Sequence, residues 1–154
     1  MSQRLSLACP LADPAATADL GTRLGRALRA GDRILLRGPL GAGKTALAAA
    51  ILAGGGHQGS VKSPTYTVVE EYALAGLRVV HADLYRLHDA AELEAIGWRD
   101  YEDGRTAFLV EWPERAGVVS GDIDVSLDVT DHGRKARLRS LSPRGDEILK
   151  SLDR

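Results

Sequence analysis

Between the short apolar run "RILLR" (33–37) and the Ala/Leu-rich stretch "ALAAAIL" (46–52) lies "GPLGAGKT" (38–45). It fits the pattern G-x-x-x-x-G-K-[ST], which constrains the fold more than any other feature of the chain. A loop of this kind converges backbone N–H groups on phosphate oxygens, and glycine permits both the close approach and the backbone angles required. Gly38, Gly41 and Gly43 stand where the turn needs them. Lys44 is placed to reach β- and γ-phosphates, and the Thr45 hydroxyl to bind Mg²⁺. A helix over 43–53 would aim its N-terminus at the anion, and Ala42 and Ala46 complete the expected nucleotide-binding stretch with Gly41, Gly43, Lys44 and Thr45. Pro39 lacks an N–H but lies early in the loop, where one donor fewer is tolerable.

A strand–loop–helix unit of this type implies an α/β layered domain, and the rest of the chain fits it. Asp13-Pro14 starts a helix, with Leu20, Leu24 and Leu28 recurring at i+4 and Gly31 as a C-terminal stop. "YTVVEEY" and "LRVVHADLY" are β-branched runs around the turn "ALAG", hence neighbouring strands. "DAAELEAIGWRDY" opens on Asp89 as an N-cap and reads as one or two short helices. "TAFLVEW" is a buried strand. "DIDVSLDVT" alternates Val125, Leu127 and Val129 with Ser126 and Asp128, and "RKARLRSL" alternates in the same way. The linking "DHG" makes these two a C-terminal antiparallel hairpin with one wet face, on which Asp128 can meet an arginine. Residues 143–152 form a terminal helix. The expected architecture is a P-loop NTPase-like domain over 1–154, with a central sheet, that hairpin and flanking helices.

At 154 residues the chain can bury a core without staples. Its net charge of -1 argues against bulk electrostatic binding of nucleic acid. The single Cys9 forms no internal disulfide, and no apolar run approaches the ~20 residues of a membrane span. "LSLAC" is too short for a signal-peptide core. These features fit a cytoplasmic protein. His57, His81, His88 and His132 show no metal-ligand spacing, and one cysteine supports no zinc site.

A phosphate loop needs an acidic residue at the end of a neighbouring strand to hold Mg²⁺ directly or through water. Asp83 ends "VVHAD" and Glu111 ends "FLVE", each after an apolar run. With Lys44 they are the expected catalytic residues, and with Thr45 the expected metal ligands. "KSPTYT" (62–67) sits where nucleotide switches place the hydroxyl that senses the γ-phosphate, which makes Thr65 and Thr67 candidate switch ligands. The arginines at 134, 137 and 139 resemble a basic strip, for which a solvated strand face is the default reading.

The cradle alone does not name a reaction. A Ras-like GTPase reads guanine with an N-K-x-D loop, and this chain has no asparagine at all. A small-molecule kinase usually has an arginine-rich lid, whereas "LYRLHDAAELEAIG" carries a single arginine and reads as packed helix. The kinase stays open as an alternative.

"GPLGAGKT", "GHQGSVKSPTYTVVEEY", "HADLYRL", "ELEAIGWRDY" and "LVEWPER" occur in this order and at distances that closely resemble the bacterial TsaE (YjeE) family. The resemblance covers residues 11–139. "VKSPTYT" joined to "HADLYRL" is far more specific than the glycine loop. The family usually has an acidic residue where this chain has Pro39, and often a second threonine in place of Ala46. The resemblance implies an ATP- and Mg²⁺-dependent ATPase of tRNA threonylcarbamoyladenosine biosynthesis. It would act with the TsaD and TsaB proteins, meet tRNA only through their complex, and be monomeric when isolated. It further implies that Thr45 and Glu111 hold Mg²⁺, with Asp83 essential nearby. Trp112 and Glu114 would lie beside the nucleotide, which Arg134 would contact. An assembly factor gated by nucleotide, without productive hydrolysis, needs the same residues and remains a second reading.

Overall fold

The computed structural model describes residues 3–61, 68–118 and 120–152. Seven strands form one mixed sheet: β1 (Ser6–Leu11), β2 (Arg33–Arg37), β3 (Val69–Leu74), β4 (Leu77–Asp83), β5 (Ala107–Glu111), β6 (Ile123–Thr130) and β7 (Gly133–Ser140). Their spatial order is β1-β7-β6-β2-β5-β4-β3. The centre is parallel, β6–β2–β5–β4, and both flanks are antiparallel. β5 is buried along its whole length, as its unbroken apolar run requires when both faces are covered.

Helices α1 (Pro14–Ala27), α2 (Lys44–Gly54) and α5 (Pro143–Leu152) cover one face, packing on Ile34, Leu36, Leu109, Val125 and Leu138. The short α3 (Ala90–Ala95) and α4 (Trp98–Tyr101) cover the other, around Leu35, Val80, Phe108 and Val110. α1 and α2 meet almost backbone to backbone. A Cβ on Gly21 would collide with the Ala50 side chain, and one on Gly25 with the Ile51 carbonyl. Asp13 caps α1, its carboxylate accepting the Ala16 N–H at 2.8 Å, and Asp89 caps α3 through the Glu92 N–H at 3.0 Å.

Four local readings need correction. β1 was not anticipated from the sequence; it is an edge strand on β7, and Pro10 fits there because one side of the strand carries no ladder. α1 stops at Ala27 rather than running to Gly31, because Asp32 folds back and accepts the Arg29 N–H at 2.8 Å. Val129 breaks the expected alternation and is 54% exposed. The β2 pairing with β6 ends at Arg37–Ser126, so the last residues of β6 project past β2 with only β7 beside them. Finally, Arg134 does not share a face with its neighbours in the strip. It alternates with Arg137 and Arg139 and lies on the face of buried Ala136 and Leu138, whereas Arg137 pairs with Asp128 and Arg139 with Asp124, each at 3.2 Å.

Candidate functional site

The site forms where β2 turns into α2. Gly41 and Gly43 have φ of +79° and +103°, yet an added Cβ at either would meet nothing within 4 Å among the described residues. The backbone angle, not crowding, therefore calls for glycine at both. Gly43 is the N-cap of α2 and supplies no side-chain hydrogen bond. First-turn N–H groups have no partner within a helix, so this end is open to an anion.

Lys44 is the first residue of α2 and only 5% exposed. Its ammonium donates to the carbonyls of Gly38 at 2.7 Å and Pro39 at 2.9 Å, and lies 4.4 Å from the Trp112 ring centroid. Burial lowers its pKa from the ordinary lysine value, against the opposing pull of Glu111, Asp83 and Glu114.

Thr45 donates to the Glu111 carboxylate, 3.0 Å to Oε1 and 3.1 Å to Oε2. Glu111 is 2% exposed at the end of β5, and Asp83 is its register partner at the end of β4. Burial raises the Asp83 carboxyl above the usual range, and the Glu111 charge adds to this; the Tyr85 N–H, bonded at 3.1 Å, opposes it, as do His81 and Lys44. Lys44, Thr45, Glu111 and Asp83 thus converge, although 38 residues separate Asp83 from Thr45 in sequence. Among the described residues no three His, Cys, Asp or Glu side chains are grouped to enclose a metal. Thr45 and Glu111 offer hard oxygen ligands, which suits a cation that completes its shell with phosphate oxygens and water, as Mg²⁺ does.

Trp112 has φ +56°, alone among the described non-glycine residues in being positive. Its N–H donates to Leu36 O at 3.2 Å, and its ring lies 5.0 Å from that of Tyr85, with Arg115 stacked on both. Glu114, in the 3₁₀ turn Pro113–Ala116, pairs with Arg37 at 3.0 Å, and Arg37 also holds Asp124 at 2.7 Å. Trp98 packs against Phe108 within the cluster on the α3–α4 face, against which the partly buried Trp112 also packs.

On the other side of the loop, Arg134 donates to Gly41 O at 3.2 Å. It borders a cavity of about 520 Å³ that Leu11, Pro14, Thr17, Ala42 and Ala46 also line. Ala42, Ala46 and Arg134 therefore meet at this cavity rather than at the carboxylates. Thr65 and Thr67 lie outside the described residues.

Sequence reasoning missed three features. Arg37 closes β2 and holds Glu114. The start of α1 walls the cavity. His81, fully buried, bonds Glu111 Oε2 through Nε2 at 2.6 Å. The signal for His81 was its position two residues before Asp83 in a strand, which puts both on one face.

A mixed sheet with helices on both faces, and a glycine loop leading into the helix behind its central strand, defines an α/β protein. The crystal structure of Bacillus subtilis YdiB has the same fold: it superposes with a TM-score of 0.77 at 22% identity, covering 99% of this chain and 96% of that one. A family model, "Threonylcarbamoyl adenosine biosynthesis protein TsaE", matches residues 11–138, and the chain belongs to this family. Similar proteins named "tRNA threonylcarbamoyladenosine biosynthesis protein TsaE" include one from Haemophilus influenzae, 48% identical over 118 residues (75% of either chain). Another, from Synechocystis, is 42% identical over 109 residues, 68% of this chain and 69% of that one.

Proposed function

We propose that the chain binds ATP with Mg²⁺ at the 38–45 loop and hydrolyses it to ADP and phosphate, slowly when alone. This would be its part in tRNA threonylcarbamoyladenosine biosynthesis, the process to which its family belongs. One observation carries the reading: the Thr45 hydroxyl and the Glu111 carboxylate are joined at the uncapped start of α2.

In this reading the N–H groups of residues 41–46 hold the phosphates. Lys44 exchanges its Gly38 and Pro39 carbonyls for phosphate oxygens, and Thr45 and Glu111 hold the cation. A cation held by Thr45 and Glu111 would supply positive charge to the phosphate oxygens. Water forms the new P–O bond, the β–γ bridge oxygen leaves with ADP, and Asp83, as a carboxylate whose proton affinity burial raises, receives the water proton. The cavity beside Ala42, Ala46 and Thr17 is apolar and large enough for a nucleobase, and Arg134 stands between it and the phosphates. Trp112 and Glu114 flank Lys44 from the other side.

The partners in this reading are the TsaD and TsaB proteins, with tRNA met only through their complex. The setting is the cytoplasm, and the isolated protein is a monomer. No helix among the described residues is long and apolar enough to cross a membrane. Arg134 sits on a projecting hairpin end, and an arginine supplied or ordered at the transition state contributes roughly 10³–10⁵ in rate. Weak ATPase activity alone and marked stimulation by a TsaD–TsaB complex are therefore expected.

Lys44→Ala should keep its circular dichroism and lose ADP and ATP binding by calorimetry; a folded variant that binds and turns over ATP like the parent removes the cradle reading. Equal turnover with and without the partner complex, despite demonstrated binding, favours the nucleotide-gated assembly factor. Phosphorylation of a small metabolite without partners favours the kinase.

A further inference from the structure

His81 is fully buried in β4, on the same sheet face as Asp83 and Glu111. An imidazole in an apolar sheet core costs free energy unless its nitrogens are bonded, and as a space-filler a Val or Leu would serve better. Among the described residues only one nitrogen is bonded: Nε2 meets Glu111 Oε2 at 2.6 Å, and Nδ1 is buried with no partner there. An N–H at Nδ1 would be an orphaned buried donor, so the proton belongs on Nε2, donating to the carboxylate.

The two Glu111 oxygens are consequently unequal. Among the described residues, Oε2 accepts from His81 and from Thr45, whereas Oε1 accepts from Thr45 alone. Asp83, the cross-strand neighbour, would push an unheld Glu111 carboxylate to another rotamer. We propose that His81 is the positioning residue of the site: its Nε2–H fixes the Glu111 carboxylate and occupies Oε2, leaving Oε1 as the oxygen offered to a divalent cation. The proposal rests on the nucleotide–Mg²⁺ reading and adds to it a residue that touches neither nucleotide nor cation.

The test uses the whole chain, ADP, and Mn²⁺ as a paramagnetic probe. ADP affinity is first measured in EDTA, then Mn²⁺ affinity of the ADP complex by electron paramagnetic resonance. His81→Phe keeps a ring without a donor and should weaken Mn²⁺ about 10–100-fold while ADP affinity in EDTA holds. His81→Gln, whose amide N–H₂ stands near the position of Nε2, should restore most of the loss. Unchanged Mn²⁺ affinity in a folded His81→Phe that still binds ADP overturns the assignment and leaves the nucleotide reading intact. A parent that binds no ADP overturns both.

Should His81→Phe not fold, ¹⁵N NMR of the parent decides. The His81 ring should carry its proton on Nε2, with a resonance that moves when Mg²⁺ is added to the ADP complex. A proton on Nδ1, or a resonance indifferent to Mg²⁺, overturns the proposal.

Discussion

The parallel centre of the sheet and its antiparallel C-terminal edge both reach the glycine loop, by different means. From the centre come Thr45, Asp83, Glu111 and His81, on strand ends and a helix start clamped by buried neighbours, with bonds of 2.6–3.1 Å. From the edge comes Arg134, on a hairpin end that has outrun β2, bonded to one loop carbonyl at 3.2 Å. Groups that must be held to a fraction of an ångström sit where packing over-determines them. Arg134 lies past the end of the β2 pairing, between β1 and β6, where fewer side-chain bonds hold it. Damage at the centre should therefore cost chemistry, and stability as well wherever it strands a buried partner, whereas damage at the edge should spare stability and cost binding and partner-stimulated turnover.

The hardest blow to this contrast is Glu111→Ala. It leaves the His81 N–H and the Thr45 hydroxyl without their acceptor, so stability should fall by about 1–3 kcal/mol. Mg²⁺-dependent hydrolysis should fall by roughly 10²–10³, as when a group that stabilises developing charge is removed. Denaturant melts and single-turnover assays check both, and a variant as stable as the parent would show that the centre is not clamped. Asp83→Asn separates the two effects. Its side-chain oxygen can still accept the Tyr85 N–H, and the cost of burying a charge disappears, so the melting temperature should hold or rise while turnover drops at least about tenfold.

Arg134→Ala should weaken ATP binding by about tenfold, the worth of one charge-assisted hydrogen bond, with stability within about 0.5 kcal/mol of the parent. Calorimetry beside a thermal melt is the measurement; a large loss of stability would mean that the edge is as rigid as the centre. The smallest effect is optical. Nucleotide should change the emission of Trp112, which stacks over Lys44, and not that of Trp98, which is buried against Phe108. A response that survives Trp112→Phe and vanishes with Trp98→Phe would move the site off the centre.

The same contrast separates what was legible from what was not. The convergence of Lys44, Thr45, Asp83 and Glu111 was readable because each ends or begins an apolar run, and a parallel α/β sheet brings such ends together. β1 was hidden because SLACPL is nearly all apolar, its exposed side carrying Ser6, Ala8 and Pro10 rather than a polar alternation, and Pro10 suits only an edge. Arg134 was grouped with Arg137 and Arg139 by proximity in sequence, although strand alternation already assigns it to the other face. His81 was weighed for metal spacing and set aside; its role depends on a carboxylate 30 residues away, which no local pattern contains. The cavity was out of reach for a similar reason, since the start of α1 meets the loop only after both have packed.

The contact between α1 and α2 has a mechanical side. At Gly21 and Gly25 the helices are separated by no side chain of α1, only by main chain against Ala50 and Ile51. Two rods in such contact cannot be pressed closer, because no compressible side-chain layer lies between them there. A push that drives α2 toward α1 is met at once by main chain, while the loop ahead of Lys44 and the hairpin that carries Arg134 lie outside this contact. In that one direction the helix pair is the anvil of the molecule.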